Sequence, residues 1–236
     1  MISDRNIRTA LERFRFAIPA SGNSTGTALE VVLDATMSMT TGDGSKESLA
    51  RELSMFLLQL GEPSGIRTSL TVSKGGGRDR VIPASDVARL PFVAFDAVEP
   101  FSSAGSELAH GAAAPTYRVV VSDLLIPADF ETLVARFARH VAQLWIIQIL
   151  AAADRDPEAG GRMLLRDLET DETVEVTLDE ASIEGYRSRL NQLCDRIKSA
   201  CQATGATLVT VLAEVDLNEL CDQYLVPAGL IARTTA

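Results

Sequence analysis

Asp34, Thr36 and Ser38 alternate directly behind the apolar, β-branched run Leu29 to Leu33, in the stretch A-L-E-V-V-L-D-A-T-M-S-M. Such a run reads as a short strand buried on both faces, so a carboxylate and two hydroxyls crowd just past its carboxyl end. The same pattern recurs at R-V-V-V-S, Arg118 to Ser122, which ends at Asp123, and Ser106 sits in a glycine-containing loop between the two. All five side chains offer hard oxygen donors, the kind that suit Mg²⁺ or Mn²⁺. Two carboxylates about 5 Å apart at an effective dielectric near 20 repel by about 3 kcal/mol, which a proton, a cation or a greater separation must relieve. In an open α/β sheet, ligands sit in the crevice outside the carboxyl ends of strands, so adjacent strands would bring the five residues onto one cation.

The same residue types also cap helices and satisfy turn amides, and a spacing of D-x-T-x-S is short enough to arise by chance. Other chemistry finds less support. G-D-G-S-K-E-S lacks phosphate-loop spacing, and no G-x-G-x-x-G follows the opening strand. No G-x-S-x-G elbow is present, and the two histidines, His110 and His140, read as loop and helix-end residues.

The elements that must hold these residues can be read in order. Phe14, Phe16 and Ile18 alternate, which predicts an edge strand beside the opening strand, ahead of the small-residue turn S-G-N-S-T-G-T. Lys46 to Leu60, with Ser45 as N-cap, is a helix: Leu49, Leu53, Phe56, Leu57 and Leu60 form one stripe. Arg67 to Ser73 and Val81 to Pro83 form a hairpin at the sheet edge. Phe130 to Val141 is a helix, Leu144 to Leu150 a third buried strand, and Arg162 to Leu168 pairs with Thr173 to Leu178 as a second hairpin. A long helix from Ile183 to Ala203, a strand from Ala206 to Ala213 and a helix from Leu217 to Leu225 complete the chain. Strands alternating with helices predict an α/β fold: a Rossmann-like, doubly wound, mainly parallel sheet with helices on both faces, plus an antiparallel hairpin insertion. Residues 1–27 read as an amino-terminal extension and 28–236 as one domain.

Composition narrows the function. With 236 residues and 46% hydrophobic content the chain can bury a substantial core. A net charge of −10 and no basic cluster argue against nucleic acid or an anionic membrane surface as partner. Met1 to Phe16 is too charged for a signal-peptide core, and Val141 to Ala153 is too short to span a bilayer. Three cysteines without C-x-x-C spacing read as buried hydrophobes, which together with the missing apolar leader predicts a reducing, cytoplasmic setting.

V-V-L-D-A-T-M-S-M resembles the metal-ion-dependent adhesion motif, D-x-S-x-S, that opens von Willebrand factor A-type domains. K-E-S-L-A-R-E-L-S-M-F-L-L-Q-L-G resembles their first helix, A-G-S-E-L-A the second metal loop and V-V-V-S-D-L-L the third. From Leu144 onward, L-W-I-I-Q-I-L, L-L-R-D-L-E-T-D-E-T-V-E-V, G-Y-R-S-R-L-N-Q-L-C and L-I-A-R resemble more specifically bacterial domain-of-unknown-function family number fifty-eight, over about Ala28 to Arg233. The resemblance implies a von Willebrand factor A-like fold without established enzymatic activity, often encoded beside AAA+ ATPases of the MoxR type. It implies Asp34, Thr36 and Ser38 in the first metal loop, Ser106 in the second and Asp123 in the third. Thr36 and Ser106 exchange serine and threonine relative to the usual motif, which keeps the hydroxyl. The segment from Phe92 to Tyr117 is short for the second loop, and the family's usual amino-terminal motif and membrane helices have no counterpart here.

The expectation is therefore a non-catalytic, protein-binding module, not an enzyme. Its metal shell would be completed by an acidic side chain of a partner such as a MoxR-type ATPase, without nucleic acid or membrane. A Mg²⁺-dependent phosphohydrolase is the competing expectation, although it needs a second carboxylate where Thr36 stands; a scaffold with a vestigial metal site is the third.

Overall fold

Six strands make one sheet, in the order Arg80–Pro83, Ile66–Ser73, Thr27–Asp34, Thr116–Ser122, Gln143–Leu150 and Thr207–Leu212, all parallel except the edge strand Arg80–Pro83. The computed structural model describes residues 4–18, 26–41, 43–74, 79–83, 85–86, 90, 93–98, 101, 116–157, 160–166 and 173–234. In the sheet, β2 spans Thr27–Asp34, β3 Ile66–Ser73, β4 Arg80–Pro83, β5 Thr116–Ser122, β6 Gln143–Leu150 and β9 Thr207–Leu212. The helices are α1 (Asp4–Arg13), α2 (Ser45–Gln59), α3 (Gly61–Ser64), α4 (Phe130–Phe137), α5 (Ala152–Arg155), α6 (Glu180–Thr204) and α7 (Leu217–Leu220). This is the doubly wound, mainly parallel α/β arrangement expected from the alternation of strands and helices.

The alternation of apolar side chains explains why helices cover both faces. Leu29, Val31 and Leu33 of β2 join Val119, Val121 and Ile147 in a core with Leu49, Leu53 and Phe56 of α2. Val32, Val120 and Ile146 point the other way, into a second core with Phe130, Leu133 and Phe137 of α4 and Ile197 and Cys201 of α6. A strand with no solvated face needs a continuous apolar run, as Val31 to Leu33 of β2 and Val119 to Val121 of β5 supply.

Local expectations change at both ends of the chain. Phe14 and Phe16 do form a strand, β1 (Phe14–Phe16), but it pairs antiparallel with the carboxyl-terminal β10 (Ile231–Arg233) in a separate two-stranded sheet. The reason is that β2 lies in the sheet interior, hydrogen-bonded to β3 on one side and β5 on the other, and offers no free edge. The last helix is α-helical only over Leu217–Leu220; a π turn follows over Cys221–Leu225, with the Val226 amide donating to the Cys221 carbonyl at 2.9 Å. The second hairpin forms as β7 (Gly161–Arg166) and β8 (Thr173–Leu178), outside the main sheet.

The order of strands positions the site. From β2 the chain crosses to β3 on one side, and it later returns to place β5 against the other side of β2. The seam between β2 and β5 is thus a topological switch point, where diverging loops open a crevice at the carboxyl ends.

Candidate functional site

Asp34 ends β2 and Asp123 immediately follows β5, so both carboxylates lie at this switch point, and both are fully buried. Register explains the juxtaposition: Leu33 is the Cα partner of Val121, which leaves Asp34 and Ser122 as the next residues on the two strands. Ser122 Oγ donates to Asp34 Oδ2 at 2.6 Å. The other carboxylate oxygen, Oδ1, accepts from the Thr36 amide at 2.9 Å and from Thr36 Oγ1 at 2.7 Å. Burial, and next the charge of Asp123, push the Asp34 carboxyl up to about 7; the hydrogen bonds from Ser122 and Thr36 act in the opposite direction.

Thr36 caps a short 3₁₀ turn over Met37–Thr40, which carries Ser38 inward. The backbone here is held by Ala97: its carbonyl accepts from the Met37 amide at 2.9 Å, and its amide donates to the Ala35 carbonyl at 3.3 Å. Thr36 Oγ1 and Ser38 Oγ lie 3.0 Å apart, and Ser38 Oγ stands 3.5 Å from Asp123 Oδ1. Ser38 is only half-buried, unlike Asp34, Thr36 and Asp123.

Asp123 is held from several sides. Its Oδ1 accepts from the Leu125 amide at 3.1 Å, and its carbonyl accepts from Gln148 Nε2 at 3.1 Å. Leu124 adopts a left-handed conformation with φ 54°, rare for a leucine, and its amide donates to Ser122 Oγ at 3.0 Å. Strain of this kind persists where surrounding contacts over-determine it, and here it folds the loop back around the carboxylate. Two residues further on begins a groove of about 930 Å³, lined in part by Leu125, Ile126, Pro127, Tyr186, Leu190 and Leu193.

Of the five residues singled out from sequence, the structure brings four together: Asp34, Thr36, Ser38 and Asp123. Ser106 lies outside the described residues. Three participants were not anticipated. Ser122 read as the last residue of a strand and Lys46 as the first residue of a helix. Asp154 follows the third buried strand by four residues, a delayed form of the strand-then-carboxylate pattern that could have drawn attention to it. Lys46 Nζ is 2.9 Å from Asp123 Oδ2 and 2.9 Å from Asp154 Oδ2.

The arrangement admits a small hard cation on two grounds. In an octahedral shell with metal–oxygen distances near 2.1 Å, adjacent oxygens are separated by about 3 Å, and the Thr36–Ser38 and Ser38–Asp123 separations approach that edge. Asp34 and Asp123 bring two fully buried carboxylates to adjacent strand ends, and the charge of Asp123 is the second cause, after burial, of the raised Asp34 carboxyl. Among the described residues no group of three or more His, Cys, Asp or Glu side chains is arranged to hold a metal, so any shell must rely on hydroxyls. Asp34, with both oxygens engaged by donors, serves to orient Thr36 and Ser122.

No family profile and no curated protein matches the chain. Among solved structures it is similar to an aerotolerance-related membrane protein from Bacteroides fragilis NCTC 9343, solved with multiple mutations to serines. That likeness has 15% identity, covers 79% of this chain and 92% of the other, and has a TM-score of 0.49. It is also similar to BatB, a conserved hypothetical protein from Bacteroides thetaiotaomicron, at 12% identity over 86% of this chain and 98% of that one, with a TM-score of 0.50. The likeness to BatB is one of fold. Among the described residues no helix is long and apolar enough to cross a membrane.

Proposed function

We propose that the chain is a non-catalytic protein-interaction module of the von Willebrand factor A type, with its recognition face at the seam between β2 and β5. The observation that carries this reading is the convergence at the switch point of Thr36 Oγ1, Ser38 Oγ and an Asp123 carboxylate oxygen, successive separations being 3.0 and 3.5 Å. These three groups would hold Mg²⁺ or Mn²⁺, with Asp34 orienting Thr36. Bound there, the ion supplies an electrophilic position that an acidic side chain of the partner fills. The resemblance of Ala28 to Arg233 to family number fifty-eight makes a cytoplasmic AAA+ ATPase of the MoxR type the partner to test.

The phosphohydrolase alternative is weaker on the same geometry. A nucleophilic aspartate needs a free oxygen aimed at substrate, whereas both Asp34 oxygens accept hydrogen bonds and the group is fully buried. The position of the second carboxylate is occupied by Thr36, whose hydroxyl is turned to Asp34.

The test is capture of a MoxR-type ATPase by the wild-type chain, Asp34→Ala, Thr36→Ser and Thr36→Val, each in Mg²⁺ and in chelator. Capture should require Mg²⁺, survive Thr36→Ser and be lost in Thr36→Val and Asp34→Ala. Equal capture under all conditions would overturn the reading.

A further inference from the structure

Lys46 is the second residue of α2, and its side chain is almost completely buried (1% exposed). A helix amino terminus carries a partial positive charge, so an ammonium there is disfavoured by the dipole as well as by lost hydration. What compensates is carboxylate: Asp123 Oδ2 and Asp154 Oδ2, each at 2.9 Å. Asp123 is one of the groups that would hold the cation, and its other oxygen faces Ser38. Asp154 sits on α5 just after β6, the strand next to β5 in the sheet. Its Oδ2 also accepts from the Ala151 amide at 2.9 Å, which fixes the carboxylate toward the seam. Three neighbouring strand ends, those of β2, β5 and β6, therefore contribute carboxylates to a region that holds one ammonium of the chain's own.

We propose that Lys46 is a resident cation of this site: it assembles Asp123 and Asp154 before any divalent ion arrives, and it lowers the free protein's affinity for that ion by sharing Asp123 with it. This rests on the reading of the seam as a metal-assisted recognition site and sets how that site is regulated. The half of Asp123 that the ammonium engages cannot donate fully to a second cation, and the two positive charges repel across a short, poorly solvated gap. The free chain is then a weak metal binder, and a partner's carboxylate restores the missing negative charge when it docks. Ion and partner are taken up together.

The experiment is calorimetric titration of the intact chain with Mn²⁺ alone, for wild type and Lys46→Met, which keeps most of the side-chain volume. Lys46→Met should bind Mn²⁺ at least about tenfold more tightly than wild type, since a unit charge a few ångströms from a bound ion at a dielectric near 20 is worth more than that. An affinity no higher than wild type, undetectable binding in both included, overturns the proposal. NMR of the wild-type lysine ammonium groups in chelator gives a readout that does not depend on a variant folding, with the signal assigned through Lys46→Arg. A slowly exchanging Lys46 signal that shifts when Mg²⁺ is added is expected, and one exchanging as freely as surface lysines overturns it. The two readings separate cleanly: gain of Mn²⁺ binding in Lys46→Met with none in wild type upholds the resident cation and removes metal-dependent recognition. Tight binding in wild type with no gain in Lys46→Met does the reverse.

Discussion

The Ser122 hydroxyl donates to Asp34 Oδ2 at 2.6 Å across the seam between two neighbouring parallel strands, and both residues are fully buried. It joins residues 88 positions apart at the point where the sheet reverses its winding. The same hydroxyl oxygen receives the Leu124 amide, so one serine ties the first loop to the left-handed turn behind Asp123.

Ser122→Ala therefore removes a donor to Asp34 Oδ2 that no other side chain among the described residues replaces. Leaving a buried carboxyl oxygen without its partner costs about 1–3 kcal/mol. Urea denaturation should show a lower midpoint with an unchanged slope, because the surface exposed on unfolding stays the same. A midpoint equal to that of wild type would mean that Asp34 is held by Thr36 alone.

A second buried carboxylate on β2 has a different role. Glu30 and Arg118 are cross-strand partners; Arg118 Nε donates to Glu30 Oε2 at 2.9 Å, and Thr71 Oγ1 donates to Glu30 Oε1 at 3.0 Å. This polar cluster lies inside the sheet, away from the carboxyl ends, and Arg118 also reaches the Phe137 carbonyl. Glu30→Ala should cost about 3–5 kcal/mol by stranding the buried guanidinium, and Glu30→Leu with Arg118→Met should cost markedly less. Thermal unfolding of the single and double variants checks this, and Mn²⁺ affinity of the double variant should match wild type.

The amino terminus of α6 supplies a pH-dependent contribution. Asp179 caps it, its Oδ1 accepting from the Ser182 amide at 2.8 Å. Hydrogen bonding to Ser182, through its side chain first and its backbone second, holds the Asp179 carboxyl below its ordinary value. A group whose value is lowered by folding stabilises the fold when ionised: the contribution is complete above the ordinary carboxylate range and disappears as pH falls through the lowered value. Amide exchange in the first turn of α6 should accelerate over that acidic interval in wild type, and much less in Asp179→Asn, which keeps an acceptor without a titrating group.

Much of this was legible locally. The runs ending at Asp34 and Asp123 are continuous and β-branched, and burial on both faces demands such a composition, so the strands and their terminal carboxylates follow from nearby residues alone. The cap of α2 was not. Ser45 has the composition of an N-cap, yet Gly44 takes that position at φ 78°, with the Asp43 carboxylate receiving the Ser45 amide at 2.9 Å, and the helix starts one residue earlier. Phe14 and Phe16 carried a strand pattern but no information about which edge would receive them, because backbone hydrogen bonds are indifferent to sequence.

By itself the sequence determined an α/β chain with a carboxylate at the end of each of two buried strands, since period and composition act over a few residues. Only the tertiary structure decided that those strands are neighbours, that Ser122 joins Asp34, and that Asp123 and Asp154 share Lys46. A lysine in the first turn of a helix reads as solvated until packing withdraws the water. Once it is buried, its charge must be answered by whatever carboxylates the sheet order brings within reach, and that order is a property of the whole chain.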